Sequence, residues 1–183
     1  MKIIAITGSP HQDGITNTIF REVVRGAETK GFESETIDVN SINPASCQNC
    51  LSCRNNNTDC VIDDGLKTYY NCLREADAVI IGGPVYYGMF CGNLISFMSR
   101  HYCLSDSSRN IRIPLGKQLI GVVSQKQSDP TLYEEFYNNY FSVFLHFGMQ
   151  MKGIINSYGI KSKQEIQPEL LKKAFDIGAS LGD

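Results

Sequence analysis

The 183-residue sequence predicts an α/β fold, a doubly wound parallel sheet with helices on both faces. Three observations predict it. Short apolar runs alternate with amphipathic stretches of helical length, the order expected of strand–helix–strand units. The first apolar run ends in a glycine- and hydroxyl-rich turn, Gly8-Ser9-Pro10-His11-Gln12-Asp13-Gly14-Ile15-Thr16-Asn17-Thr18. The most apolar run ends in a second unusual turn, Gly83-Pro84-Val85-Tyr86-Tyr87-Gly88. In such sheets ligands bind beyond the carboxyl ends of the strands, so both turns fall where a site belongs.

Each element follows from its pattern. Lys2–Thr7 is a first, buried strand. Asn17–Lys30 reads as helix one, because Ile19, Phe20, Val23, Val24 and Ala27 recur at helical spacing and Gly31 closes it. Ser34–Val39 is a second strand, less apolar and so at an edge. Residues 43–60 show neither period, and Pro44 with Asn55-Asn56-Asn57 marks them as loop. Asp63-Asp64 open a helix running to about Glu75, acids suiting the positive end of its dipole. Ala78–Ile81 is apolar on both faces and therefore a central strand. Gly92–Tyr102 is a third helix. Leu104–Gly116 is a polar connection long enough to be functional or mobile. Leu119–Val123 is strand four, Pro130–Phe147 an aromatic-rich helix, Met149–Ser157 strand five, and Pro168–Leu181 a last helix with Pro at its start. Five strands and five helices suit a flavodoxin-like three-layer αβα sandwich with sheet order 2-1-3-4-5, in a single domain over 1–183.

Composition narrows the function. A hydrophobic content of 42% supports a full core, and a net charge of −2 leaves no basic field for nucleic acid or an anionic membrane surface. No apolar run approaches the roughly 18–20 residues needed to cross a bilayer. Met1-Lys2-Ile3-Ile4-Ala5-Ile6 is too short for an export signal, so the expected location is the cytoplasm. There thiols stay reduced, and the seven cysteines, an odd number, point to ligand binding rather than disulfides.

The turn after strand one can bind phosphate. Gly8 allows a tight bend, Ser9, Thr16 and Thr18 offer hydroxyls, and helix one presents free N–H groups. It is neither a Walker loop nor G-x-G-x-x-G, which argues against nucleoside triphosphate chemistry. An ordinary N-capped helix would use the same residue types. In the turn after strand three, glycines let backbone approach a flat ligand, Pro84 fixes the approach, and an aromatic can pack on a ring face. The alternative is a core-facing turn with two interfacial tyrosines.

Cys47, Cys50, Cys53 and Cys60 form a C-x2-C-x2-C-x6-C segment without histidine. Three readings compete: a [4Fe–4S] cluster, a tetrathiolate zinc, and an empty loop of inert thiols. Zinc sites usually pair two C-x2-C knuckles across a longer gap, so the spacing favours the cluster. Cys72 reads as a small buried hydrophobe, and Cys103 as a candidate redox-active thiol on the long connection. His101 reads as a helix-end surface residue, and His146 as a packing residue. The aromatics from Tyr133 to Phe147 are mostly core, with a surplus suited to a subunit interface.

Gly8-Ser9-Pro10 followed by Gly14 and Thr16, then Ala76-Asp77-Ala78-Val79-Ile80-Ile81-Gly82-Gly83-Pro84-Val85-Tyr86-Tyr87-Gly88, resembles the NAD(P)H-dependent FMN reductase family. With the cysteine segment and Asp63-Asp64 behind it, the chain resembles that family's iron–sulfur flavoprotein branch, over roughly residues 1–160. The resemblance implies non-covalent FMN, its phosphate at Ser9, His11, Gly14, Ile15, Thr16 and Asn17 and its ring at Pro84, Val85, Tyr86, Tyr87 and Gly88. It implies a [4Fe–4S] cluster on Cys47, Cys50, Cys53 and Cys60, NAD(P)H as co-substrate, and a homodimer or homotetramer. His11 and Ile15 stand where many members carry Arg and Asn, and Ser124–Asp129 lacks the glycine pair common there. The expected function is an FMN-dependent oxidoreductase. Electrons would come from NAD(P)H or a ferredoxin-like donor and pass to a small-molecule or protein acceptor. No catalytic acid or base is required of the protein, because the cofactor carries the redox chemistry. The alternatives are a flavodoxin-like FMN carrier without turnover, its cysteine loop zinc-filled or empty, and a redox-inactive regulatory domain.

Overall fold

The computed structural model describes residues 1–183. Its strands are β1 (Lys2–Thr7), β2 (Glu33–Asp38), β3 (Ala78–Tyr86), β4 (Met89–Phe90), β5 (Gln118–Ser124) and β6 (Gln150–Ser157). The sheet order is β2-β1-β3-β5-β6, all parallel, with β4 paired antiparallel to the end of β3. Leaving out the two-residue β4, this is the doubly wound order 2-1-3-4-5 of a flavodoxin-like sheet. β2 lies at the edge with its first four residues exposed, as its polar composition requires. β3 is central, and Ala78–Ile81 are fully buried between β1 and β5.

Period-two alternation divides the core. Ile3 and Ala5 face one layer with Ile80 and Val122, covered by helix α1 (Ile15–Glu28) and the last helix, α7 (Pro168–Gly178). Ile4 and Ile6 face the other with Val79 and Ile81, under α4 (Leu66–Glu75), α5 (Gly92–Ser99) and α6 (Glu134–His146). Two one-turn helices, α2 (Val39–Ile42) and α3 (Ser52–Asn55), carry too few residues for a period to be read.

Several boundaries differ from expectation for local reasons. Asp64 accepts from the Leu66 N–H at 3.1 Å, so Asp63-Asp64 form a turn outside α4. Asp129 accepts from both the N–H and hydroxyl of Thr131, and that turn delays α6 to Glu134. β3 runs on to Tyr86 because β4 pairs with it. α5 tightens into a 3-10 turn, Arg100–Leu104, that is sunk in the core. His101 is therefore not a surface residue; it is 1% exposed. Cys103 is equally buried, and burial pushes its thiol up to about 11, which contradicts a reactive role. The connection after Leu104 is partly tied down, through a bridge between Ser105 and Ile111 and Arg112 N–H groups on the carbonyls of Asn57 and Thr58. Cys72 is half-buried, its thiol donating to Glu35 at 3.0 Å, and His146 is exposed, with its ring against Phe147.

Candidate functional site

A cleft of about 510 Å³ opens over the carboxyl ends of β1, β3, β5 and β6. A second cavity of about 240 Å³ lies at the other end of the sheet, between Lys2, Glu33, Glu35 and Glu75. Only the first coincides with the crossover rim where doubly wound sheets bind ligands.

The first loop forms the cleft floor. The Asn17 amide and the Ser9 hydroxyl both donate to the His11 carbonyl, at 3.0 and 3.4 Å, as does the Gly14 N–H at 3.0 Å. The Thr7 hydroxyl donates to the side-chain Oδ1 of Asn17 at 2.6 Å. Ser9, Gly14 and Asn17 thus shape the loop, and His11, Ile15 and Thr16 line the cleft. The N-cap of α1 is Gly14, extended and without a capping side chain. The first-turn N–H groups of Ile15, Thr16 and Asn17 are thereby left for an anion. The Thr16 and Ser124 hydroxyls sit 2.5 Å apart, joining this loop to the end of β5.

The β3 turn forms one wall. Tyr87 and Gly88, at φ 51° and 81°, make a two-residue turn closed by the Tyr86–Met89 pair. Phe90 anchors it edge-on against Tyr140. A left-handed backbone is unfavourable for a tyrosine, and strain of this kind collects at functional sites. Pro84 and Val85 are half-buried, while Tyr86 and Tyr87 project to solvent.

The opposite wall comes from Ser124 at the end of β5 with Gln125, Lys126 and Gln127 beyond it, Ser157 at the end of β6 with Ile160 beyond it, and Tyr133 before α6. In the sequence, Ser124–Asp129 stands out as the place where the family's glycine pair is missing and Tyr133 as one of an aromatic set, while Ser157 and Ile160 have no signal but position at the end of a strand. Gln125 is 5% exposed; its amide nitrogen donates to the Asp129 carbonyl at 2.8 Å. Its Oε1 is buried and has no partner. A buried acceptor without a donor is unfavourable, and a ligand N–H would satisfy it. The polar edge of a flavin carries such an imide N–H. With an anion site at α1 and an aromatic wall, the residues present fit FMN.

The cysteine loop lies apart from these lining residues. Cys50 is exposed, Cys53 buried, and Cys47 and Cys60 half-buried, all as free thiols. The Cys53 thiol is pushed up, first by burial and then by Cys60, with smaller effects from Cys47 and Cys50. The other three thiols thus each act on Cys53, and an all-thiol set suits iron–sulfur chemistry. No three of them stand as a group placed to hold a single metal ion. Framework arginines hold the loop: Arg74 pairs with Asp59, Arg112 takes two carbonyls, and Arg100 binds the Ala45 carbonyl, Asp64 and Cys60.

A doubly wound sheet with an uncapped helix start, an aromatic turn and an unpartnered acceptor at its carboxyl rim defines a flavodoxin-like mononucleotide-binding protein. The chain belongs to the NADPH-dependent FMN reductase family, whose sequence pattern matches residues 1–129. That match takes in the first loop, the cysteine loop, the β3 turn and Ser124–Asp129; Tyr133, Ser157 and Ile160 lie beyond it. The chain is 31% identical over 119 residues to an iron–sulfur flavoprotein of Methanosarcina thermophila, covering 65% of this chain and 62% of that one. It is 34% identical over 115 residues to an iron–sulfur flavoprotein of Methanocaldococcus jannaschii, covering 62% and 54%. The matched region thus spans just over half the length of these relatives. An NAD(P)H:quinone oxidoreductase from Methanothermobacter marburgensis superposes with a TM-score of 0.74 at 15% identity, covering 100% of this chain and 96% of that one. An azoreductase from Bacillus anthracis gives 0.68 at 12%, covering 98% and 97%. At such identity the likeness shows the fold. No helix is long and apolar enough to cross a membrane.

Proposed function

We propose that this chain is an FMN-dependent oxidoreductase of the cytoplasm. It takes electrons from NAD(P)H or a ferredoxin-like protein and delivers them to a small acceptor. Cys47, Cys50, Cys53 and Cys60 hold a [4Fe–4S] cluster as a second redox centre, and the protein works as a homodimer or homotetramer. The observation that carries the flavin reading is the unpartnered Oε1 of Gln125 in a cleft whose floor is the open end of α1.

Bound FMN supplies both hydride and single-electron chemistry. The residues divide the holding of it. The N–H groups of Ile15–Asn17 and the Thr16 hydroxyl, steadied by Ser124, take the phosphate. Gln125 accepts from the imide edge. The turn from Pro84 to Gly88, including Tyr86 and Tyr87, would meet the ring. His11 stands beside the phosphate position as a further polar contact. No side chain in the cleft is needed to move a proton during turnover. The iron–sulfur reading rests on the all-thiol donor set and its spacing, and on relatives that bear that name.

Titration with FMN, followed by fluorescence quenching, tests the cleft; saturable quenching is expected. Colourless protein that quenches no added FMN overturns the proposal. Anaerobic purification with metal analysis tests the loop, with roughly four irons per chain expected for one [4Fe–4S] centre. Steady-state NAD(P)H oxidation with a quinone acceptor separates a reductase from an electron carrier, which would show none.

A further inference from the structure

Arg100 opens the 3-10 turn after α5 and is 1% exposed. Every part of its guanidinium is used. Its Nη atoms grip Asp64, at 2.6 Å to Oδ2 and 3.4 Å to Oδ1, and Nη1 also donates to the Ala45 carbonyl at 3.0 Å. Nη2 reaches the Ile62 carbonyl at 3.5 Å. The remaining N–H, on Nε, points at the sulfur of Cys60 at 3.1 Å. One side chain therefore binds the stretch before the first cysteine and the stretch after the last, and closes the neck of the loop.

The fork geometry fixes the direction of the Nε–H. Arginine cannot shed its charge, and Asp64, itself largely buried, holds the planar group in place. Among the four cysteine sulfurs, that of Cys60 receives a cationic N–H. Hydrogen bonds to ligand sulfurs are among the factors that set the potential of an iron–sulfur centre, and outer-shell donors orient the ligands themselves.

We propose that Arg100 is a positioning residue for Cys60: anchored by Asp64, it closes the cysteine loop and donates one N–H to the Cys60 sulfur, orienting that ligand and raising the potential of the centre it binds. The inference rests on the iron–sulfur reading given above. It assigns to the chain a device that biases electron flow towards the cluster through one of its four ligands.

Two variants test it in anaerobically purified, FMN-loaded protein. Arg100→Lys keeps the charge but cannot reach Asp64, Ala45 and Cys60 together. The double variant Arg100→Met/Asp64→Asn removes both charges, so neither is left buried alone. Potentiometric titration followed by electron paramagnetic resonance reads the cluster, and the visible flavin bands read FMN in the same sample. The expected result is a cluster midpoint shifted to lower potential and an altered resonance of the reduced cluster in both variants, with the flavin midpoint unmoved. Iron-loaded variants with an unshifted cluster midpoint, or a flavin midpoint that moves equally, overturn the role of Arg100. So does failure of both variants to accumulate as folded, FMN-binding protein, since Arg100 is then a folding residue. Iron-free wild-type protein overturns the cluster reading itself, and the inference falls with it.

Discussion

Tyr69 and His101 form a buried hydrogen-bonded pair, with the phenol oxygen 2.5 Å from Nε2. The opposite nitrogen, Nδ1, lies 3.1 Å from the carbonyls of Phe97 and Met98. Carbonyls only accept, so the imidazole proton belongs on Nδ1 and Nε2 accepts from the tyrosine. Rings of Phe97 and Phe144 pack edge-on around the imidazole, at 4.8 and 5.0 Å. The pair joins α4 to the 3-10 turn that also carries Arg100, and so forms the core beneath the neck of the cysteine loop.

Burial pushes the His101 imidazole down to about 4 in the folded protein, from 6.5 in the unfolded chain. Between those values the unfolded state binds a proton that the folded state does not. The stabilisation is therefore complete above pH 6.5 and is lost as pH falls towards 4, by about 3 kcal/mol in all. Urea unfolding between pH 7.5 and 4.5 should show this decline. His101→Gln should flatten it, and an undiminished slope in that variant would exclude His101 as its source. Tyr69→Phe leaves Nε2 without a donor and should cost about 1–3 kcal/mol at neutral pH.

Helices α1 and α7 cross in close backbone contact. A Cβ on Gly26 would lie 2.0 Å from the Phe175 carbonyl oxygen, and one on Gly178 would lie 1.9 Å from that of Val23. Alanine gains at most about 1 kcal/mol in helix propensity at such positions, whereas overpacking against backbone costs about 1–3 kcal/mol or more. Gly26→Ala and Gly178→Ala should each lower stability in denaturant titrations. Unchanged or raised midpoints would mean that the helices separate freely.

Gln125 should matter more to the ligand than to the empty protein. Gln125→Leu removes the unpartnered oxygen along with the bond to Asp129, so the two effects on ligand-free stability oppose each other. FMN binding loses an acceptor, about 1 kcal/mol, or roughly a fivefold rise in Kd. Fluorescence titration of FMN measures the change. A Kd equal to that of wild type would show that the imide edge is held elsewhere.

The cysteines should separate by reactivity in metal-free, folded protein. Cys50 is exposed, while Cys103 is buried with its thiol raised to about 11, first by burial. The thiolate is the reactive form, so iodoacetamide at pH 8 should label Cys50 readily and Cys103 only after unfolding. Peptide mapping by mass spectrometry reads both sites. Equal labelling of the two would contradict the packing around the 3-10 turn.

Period and punctuation made most of the fold legible. Ala78–Ile81, apolar at every position, had to be central, and Ser34–Val39, polar on most of its length, had to be an edge. The two glycine-bearing turns could be placed at the site from topology alone. The small β4 and the turns at Asp64 and Asp129 were not legible, because single side-chain hydrogen bonds or a two-residue pairing decide them. Ser157, Ile160 and Tyr133 carry no motif; they line the cleft only because β6 and the start of α6 end beside β5.

Arg100 and His101 mark the boundary between the two kinds of information. In one dimension, Ser-Arg-His-Tyr at the end of a helix has the composition of a surface. In the folded chain, Asp64, Tyr69, the Cys60 sulfur and a set of backbone carbonyls supply the partners those side chains need, and they can be buried. By itself the sequence determined the doubly wound sheet, the flavin-type turns and the cysteine spacing, because these depend on local pattern. The tertiary structure alone decided which polar groups are satisfied in the interior and which, like the Oε1 of Gln125, are left without a partner, because the partners come from distant segments of the chain.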